Sequence, residues 1–194
     1  MTFFDLYSNA SIFLICWKYV METFKETFST IFYEIKVNDS KHIIMLLILF
    51  RITHFLRSKI KKSIFYSFLL PLYILFFLFF RFFSVCICSC DLYPKTRIGK
   101  GLLIYHGFGL VVHPEVVIGE NCILRQGVTI GNKIGQKNIL SGSPKIGNNV
   151  QFGANSCVIG DIIIGDNCIV GAGAIVTKNL KENSVIVPAK MINL

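Results

Sequence analysis

From Ile98 onward, aliphatic residues recur every six positions, and this period limits the chain to very few folds. One series runs Ile98, Ile104, Leu110. A second, displaced by two residues, runs Ile118, Leu124, Ile130. A third runs Ile146, Phe152, Val158, Ile164, Val170, Val176 without a break. Six fits neither the 3.6-residue helix nor an ordinary two-residue strand alternation, and a fixed period sustained over many steps marks a solenoid. Three flat strands of six residues give an 18-residue turn, so the chain should wind as a triangular prism. The position four after each aliphatic is again compact or apolar (Leu102, Phe108, Cys122, Val128, Val150, Ser156, Ile162, Cys168, Ala174), as a prism interior requires. Gly99, Gly119, Gly147, Gly165 and Gly171 follow the aliphatics, where sharp turning of the chain is expected.

The period lapses between Gly131 and Ile146. The stretch 132–145 (NKIGQKNILSGSPK) should leave the prism as a loop, and insertions in solenoids gather on the functional face. The repeats end after Val176, and residues 182–194 read as a cap on the open end. The solenoid domain is therefore placed at 91–181.

Residues 1–90 differ in kind. Glycine is absent from 1–98, and the run 42–62 has an apolar face with basic residues at its C-terminal end, where a helix dipole favours them. The segment 64–80 (IFYSFLLPLYILFFLFF) carries no charge. Three placements stand open for it: a membrane span, a helix lying in the bilayer interface, or a helix packed on the solenoid and its neighbours. Its 17 residues, with Pro71 expected to kink it and Arg81 to interrupt it, weigh against a span. The start of the chain lacks the basic n-region of a cleavable signal peptide.

The net charge of +9 suggests an anionic partner, with a solvated basic face as the alternative. Arg51, Arg57, Lys59, Lys61 and Lys62 lie beside the apolar run, which favours a membrane surface over nucleic acid; no nucleic-acid motif accompanies them. Seven cysteines make no CxxC pair. Cys86, Cys88 and Cys90 are spaced by two, which suits no common zinc pattern, so no metal is expected and reduced cytosolic thiols are the simpler account.

A core of Ile, Val, Gly and Ala has nothing that titrates near neutrality, so His106, in IYHGFG, stands out. Imidazole is suited to take a proton from a hydroxyl, and the adjacent glycines allow close approach of another chain or ligand. Asp91 lies 15 residues earlier, close to one coil, so the two could meet across adjacent layers, the carboxylate steadying the imidazolium. A structural histidine in a turn is the alternative.

Residues 91–189 resemble the serine acetyltransferase branch of the left-handed β-helix hexapeptide acyltransferases. DLYPKTRIGKGLLIYHGFGLVV, RQGVTIGN and SPKIGNNVQFGANSCVIGDIIIGDNCIVGAGAIV carry the likeness, and IYHGFGLVVHP is closest to the subgroup of colanic acid and capsule biosynthesis. The resemblance implies that Asp91 and His106 form a catalytic dyad and that acetyl-CoA, with no metal, lies in a groove between two prisms of a homotrimer or dimer of trimers. By the same likeness Gly131, Ala154 and Ala172 line the pantetheine arm. Gly131 and Asn132 are where oxyanion-stabilising N–H groups are sought, and Lys178 and Lys190 are candidates for the CoA phosphates. His113, which precedes Pro114 where the repeat is expected to slip by two residues, and Tyr105 are candidates for acceptor contact; an ordinary surface histidine is the alternative for His113. The serine enzymes carry Arg-His-Pro-Lys where this chain has Gly142-Ser143-Pro144-Lys145, so an imidazole that helps hold serine is missing from that motif. The expectation is an O-acetyltransferase acting on a glycan hydroxyl, cytoplasmic and peripheral to the inner face of the membrane. The competing readings are serine O-acetyltransferase and a non-catalytic trimeric scaffold.

Overall fold

In the computed structural model, residues 21–62, 64–134 and 140–188 are described. Residues 21–37 form helix α1, and α2 spans Lys41–Lys62. A 3-10 turn, Ile64–Leu69, leads into α3, Leu70–Phe82, which runs on through a π turn at Phe83–Ile87. Pro71 sits in the first turn of α3, where its missing N–H has no helical partner to lose, so it starts the helix and does not kink it. From Arg97 the described residues wind through thirteen short strands. Their parallel pairing builds three faces: face I (β1 Arg97–Ile98, β4 Val117–Ile118, β7 Lys145–Ile146, β10 Ile163–Ile164), face II (β2 Leu103–Tyr105, β5 Ile123–Arg125, β8 Gln151–Phe152, β11 Ile169–Val170, β13 Val185–Ile186) and face III (β3 Val111–Val112, β6 Thr129–Gly131, β9 Cys157–Ile159, β12 Ile175–Val176). This is a parallel β-solenoid of about four turns.

The register stacks like on like. Ile98, Ile118, Ile146 and Ile164 lie in one buried column, and Val112, Ile130, Val158 and Val176 in another. Stacking residues are 18 apart in the later coils but 20 apart in the first: Arg97 pairs with Val117, and Leu103 with Ile123. The displacement by two falls between β2 and β3. Phe108 O accepts from Gly127 N and Leu110 sits above Val128, so His106 and Gly107 are the two additional residues. This corrects two sequence expectations. Val112 joins the strand column in place of Leu110, and the slip lies at His106, not at His113–Pro114. The next coil is longer still, with Val117 pairing to Lys145, because the 132–145 segment leaves the prism pinched at its base by Ser141 N donating to Lys133 O.

The glycines after the corner aliphatics serve close packing between coils, not sharp turning. None has a positive φ. A Cβ on Gly119 would come within 2.5 Å of Gly147 O and 2.6 Å of Asn148 Oδ1. The left-handed turns fall two residues later, at Gly101, Asn121, Asn149, Asn167 and Gly173, and again at Asn183 in the last coil. Asparagine tolerates that region, and here the side chains also link coils, Asn149 Nδ2 to Asn167 Oδ1 and Asn167 Nδ2 to Asn183 Oδ1, both 3.1 Å. At the far end β13 pairs with β11, so the segment after Lys181 adds a rung to face II beyond the boundary the periodicity sets.

The other end of the solenoid is a raw sheet edge, and buried polar side chains of α1, α2 and their connection close it. Asn38 donates to Leu102 O and accepts from Ile104 N; Glu34 accepts from Leu102 N; Arg51 donates to Ile98 O and Gly99 O while its guanidinium pairs with the Glu34 carboxylate. Glu34, Asn38 and Arg51 are all nearly inaccessible to water. The apolar face of α2 (Ile43, Leu46, Leu47, Phe50) packs onto Phe80 of α3 and the first coil in one continuous core. Removing one member of a buried ion pair strands the other charge, so Arg51→Ala should lower unfolding free energy by about 3–5 kcal/mol. Urea denaturation of the two proteins side by side measures it, and a loss under about 1 kcal/mol would show that water replaces the guanidinium there.

Candidate active site

The predicted residues divide between two corners of the prism. At the corner joining faces II and III, the additional pair His106–Gly107 pushes the backbone outward. His106 is exposed and has φ 57°. Elsewhere between Arg97 and Val187, among the described residues, positive φ belongs only to glycine or asparagine. A histidine in that region is uncommon and costs free energy, a pattern that favours function over packing. The corner is braced from beneath. The hydrogens of Gly107 face Ile43, whose Cδ1 a Cβ would approach to 3.0 Å, and the Phe108 ring lies 5.8 Å from that of His42. Tyr105, just before, is half-buried on face II with the Arg125 guanidinium 4.7 Å from its ring centroid.

Asp91 lies on the other side of this corner. Its backbone forms the first rung of face III, its N–H donating to Leu110 O and its carbonyl accepting from Val112 N, so it stacks above Val111. The 15-residue spacing therefore sets Asp91 and His106 across a corner and not one above the other. The Asp91 carboxylate pairs with Arg81 of α3 at 2.9 Å; Arg81 also donates to Leu92 O and lies over the Tyr93 ring. No hydrogen bond joins Asp91 to His106.

The second corner joins faces III and I. His113 stacks over Gly131, and a Cβ on Gly131 would lie 3.7 Å from that of His113. The His113 Nδ1 accepts from Glu115 N at 3.3 Å and lies 3.0 Å from Ser143 Oγ. A nitrogen accepting from a backbone N–H carries no proton, so the proton of the neutral ring sits on Nε2. The loop thus sets Ser143 against an imidazole supplied by the preceding coil. The group absent from the 142–145 motif is present in space, which no linear pattern could show.

A cleft of about 470 Å³ on face III brings together Asp91, Tyr93, His113, Thr129, Gly131 and Asn132. His106 is not among its walls. Ala154 and Ala172 fall below His106, in the column that begins with Phe108 and Gln126 at the first corner; Gly173 N donates to Ala154 O and Asn155 N to Gln126 O. Lys178 is exposed after β12, and Lys190 lies outside the described residues.

The three cysteines of the CxCxC run have different settings. Cys86 is exposed, while burial pushes the thiols of Cys88 and Cys90 up to about 11 and about 12. Buried thiols of that kind are poor nucleophiles at neutral pH. Cys122, inside the prism, is pushed up to about 11 by burial as well.

The family pattern of the bacterial transferase hexapeptide (six repeats) matches residues 143–178. Over 142 residues the chain is 34% identical to an Escherichia coli (strain K12) protein named as a colanic acid biosynthesis acetyltransferase, which spans 73% of this chain and 83% of that one. It is 42% identical over 106 residues to serine acetyltransferase 1, chloroplastic, of Arabidopsis thaliana, covering 54% of this chain but 33% of that protein. Of solved structures, soybean serine acetyltransferase complexed with serine superposes with a TM-score of 0.60 at 28% identity, over 79% of this chain and 58% of that one. Neisseria gonorrhoeae serine acetyltransferase superposes with a TM-score of 0.68 over 89% and 69%, and at 23% identity that likeness is one of fold. The chain thus spans a third to just over two thirds of these serine acetyltransferases, and most of the Escherichia coli protein. With the stacked coils, the corner insertion and the extruded loop, this places the chain in the hexapeptide-repeat acetyltransferase family.

Proposed function

We propose that the protein transfers acetyl from acetyl-CoA to a hydroxyl of a cell-surface glycan or its precursor, with His106 as general base. The observation that carries this is the His106 corner: two added residues, a backbone region held by Asn and Gly elsewhere in the described coils, and an exposed imidazole on a braced support. His106 takes the hydroxyl proton as the oxygen attacks the thioester carbonyl, and returns it to the departing thiolate. Asp91, across the corner, is the carboxylate that steadies the imidazolium once acceptor closes the site. Backbone N–H groups at Gly131–Asn132 are the candidates for holding the oxyanion.

One protomer does not complete this arrangement. A face spans about six residues, roughly 20 Å at ~3.3 Å per residue. His106 and the Gly131–His113–Ser143 corner stand at opposite edges of face III, too far apart to hold one acetyl group. A homotrimer setting the first corner of one copy against the second corner of its neighbour closes the site, with Ala154 and Ala172 along the pantetheine arm and Lys178 and Lys190 toward the CoA phosphates. The protein then acts in the cytoplasm, at the inner face of the membrane.

A glycan acceptor is supported by the relative aligned over most of its own length. The His113–Ser143 pair is the feature that favours serine, since it restores an imidazole beside the loop. Thiol release from acetyl-CoA with L-serine and with a sugar panel separates the two. Turnover of a sugar well above that of L-serine is expected, and the reverse order would overturn the glycan assignment. His106→Ala should lower kcat about 10²–10⁴-fold with little change in KM for acetyl-CoA. An unchanged kcat would remove His106 from the chemistry, and thiol release with neither serine nor any sugar would favour the scaffold. His113→Ala should raise KM for the acceptor while kcat holds; if kcat collapses instead, His113 is the base, acting with Asp91 in the face III cleft.

A further inference from the structure

A second cleft lies outside the proposed acetyl-transfer chemistry. It holds about 810 Å³ between the C-terminal half of α2 and face I. His54, Arg57, Ser58 and Lys61 line it from the helix, three to four residues apart and so on one side, and Lys95, Arg97 and Lys145 line it from the solenoid. Lys59, on another side of α2, is turned away and bonds Thr23 Oγ1 at 3.0 Å. Two carboxylates reach the cleft: Glu115, paired with Lys95 at 2.8 Å, and Asp161, at the loop end beside Gly142. Arg57, Lys61, Arg97 and Lys145 have no acidic partner within ion-pair distance among the described residues. His54 Nδ1 is 2.8 Å from Pro94 O, which fixes the ring against the wall; burial holds its pKa below the ordinary value, with the Pro94 bond pulling the other way.

Four like charges around one concavity repel each other and gain from a multivalent anion. The cleft ends at Gly142 and Ser143, and Ser143 meets His113 of the face III cleft, so the two clefts adjoin at Pro114. The chain leaving α2 at this end begins the apolar helix Ser67–Ile87, whose Phe68, Leu72, Ile74 and Leu75 are exposed.

We propose that this cationic cleft binds a phosphate-ester anion carried by the acceptor, setting the hydroxyl beside it at the His113–Ser143 corner. The inference rests on the acetyltransferase reading and adds the substrate class: a phosphorylated or diphosphate-linked sugar. The ester could arrive on a soluble nucleotide sugar or on a lipid held by the apolar helix.

The test is calorimetric titration of the full chain with inorganic pyrophosphate, with CoA at saturation so that its own phosphate contacts are filled. Saturable binding is expected that weakens with salt and falls at least tenfold in the double variant Arg57→Gln/Arg97→Gln. Absence of binding, or equal binding by the variant, overturns the proposal. Co-sedimentation with phosphatidylcholine vesicles containing phosphatidic acid then assigns the source. Retention displaced by pyrophosphate supports a lipid-borne ester, and pyrophosphate binding without vesicle retention supports a soluble one. Acetyl-CoA affinity, measured on the same protein before CoA is added, separates the two readings: if it persists while pyrophosphate fails to bind, only the cleft assignment falls.

Discussion

A parallel solenoid leaves unpaired N–H and C=O groups on its first coil, and the buried Glu34–Asn38–Arg51 cluster is what makes that edge tolerable. Five backbone groups, from Ile98 to Ile104, find their partners in three side chains. An open edge of this kind would pair with another chain or remain unsatisfied beneath the helices, and either outcome is costly. Because Arg51 sits in the middle of α2, the same interaction fixes where that helix crosses the prism. Ile43 then falls under Gly107, and Arg57 and Lys61 over face I. The cap therefore sets the footing of the His106 corner and one wall of the cationic cleft together.

The proposed chemistry lies where the repeat breaks. A regular coil exposes short strands and tight Asn or Gly turns, and it has no concavity of its own. The two added residues at His106, the ten-residue excess of the second coil and the displaced His113–Ser143 corner are the three departures. Each projects polar groups from a rigid support, which suits precise positioning better than a free loop does. The stacked columns of Ile and Val hold these corners at constant spacing.

The helical region has a mixed character. One stripe of α3 and its extension, with Phe76, Phe80, Phe83 and Ser84, faces the core. Leu75, Leu78, Phe79 and Phe82 remain exposed. By length and composition the segment Ser67–Ile87 is able to cross a membrane, yet Arg81 within it reaches back to Asp91 of the solenoid. The apolar helix and the first rung of face III are thus tied by one ion pair.

The prism, its faces and the extruded loop were legible in the sequence, because a period of six repeated over six aliphatics leaves no other regular geometry in which every one of them is buried. His106 stood out as a candidate too, as an imidazole beside a repeat core of Ile, Val, Gly and Ala. What the period could not reveal was which residue stacks on which across an insertion: Asp91 over Val111, the slip at His106 and not at Pro114, the glycines packed by neighbouring coils. Nor could it show that Arg51 is a cap and Lys59 is turned inward while Arg57 and Lys61 face a cleft, since all four read alike as one basic run. By itself the sequence determined the repeating backbone, since burial of regularly spaced apolar side chains is a local requirement met the same way in each coil. The tertiary structure alone decided the partners of the polar groups, because pairing and desolvation depend on residues brought together from 17 to 68 positions apart.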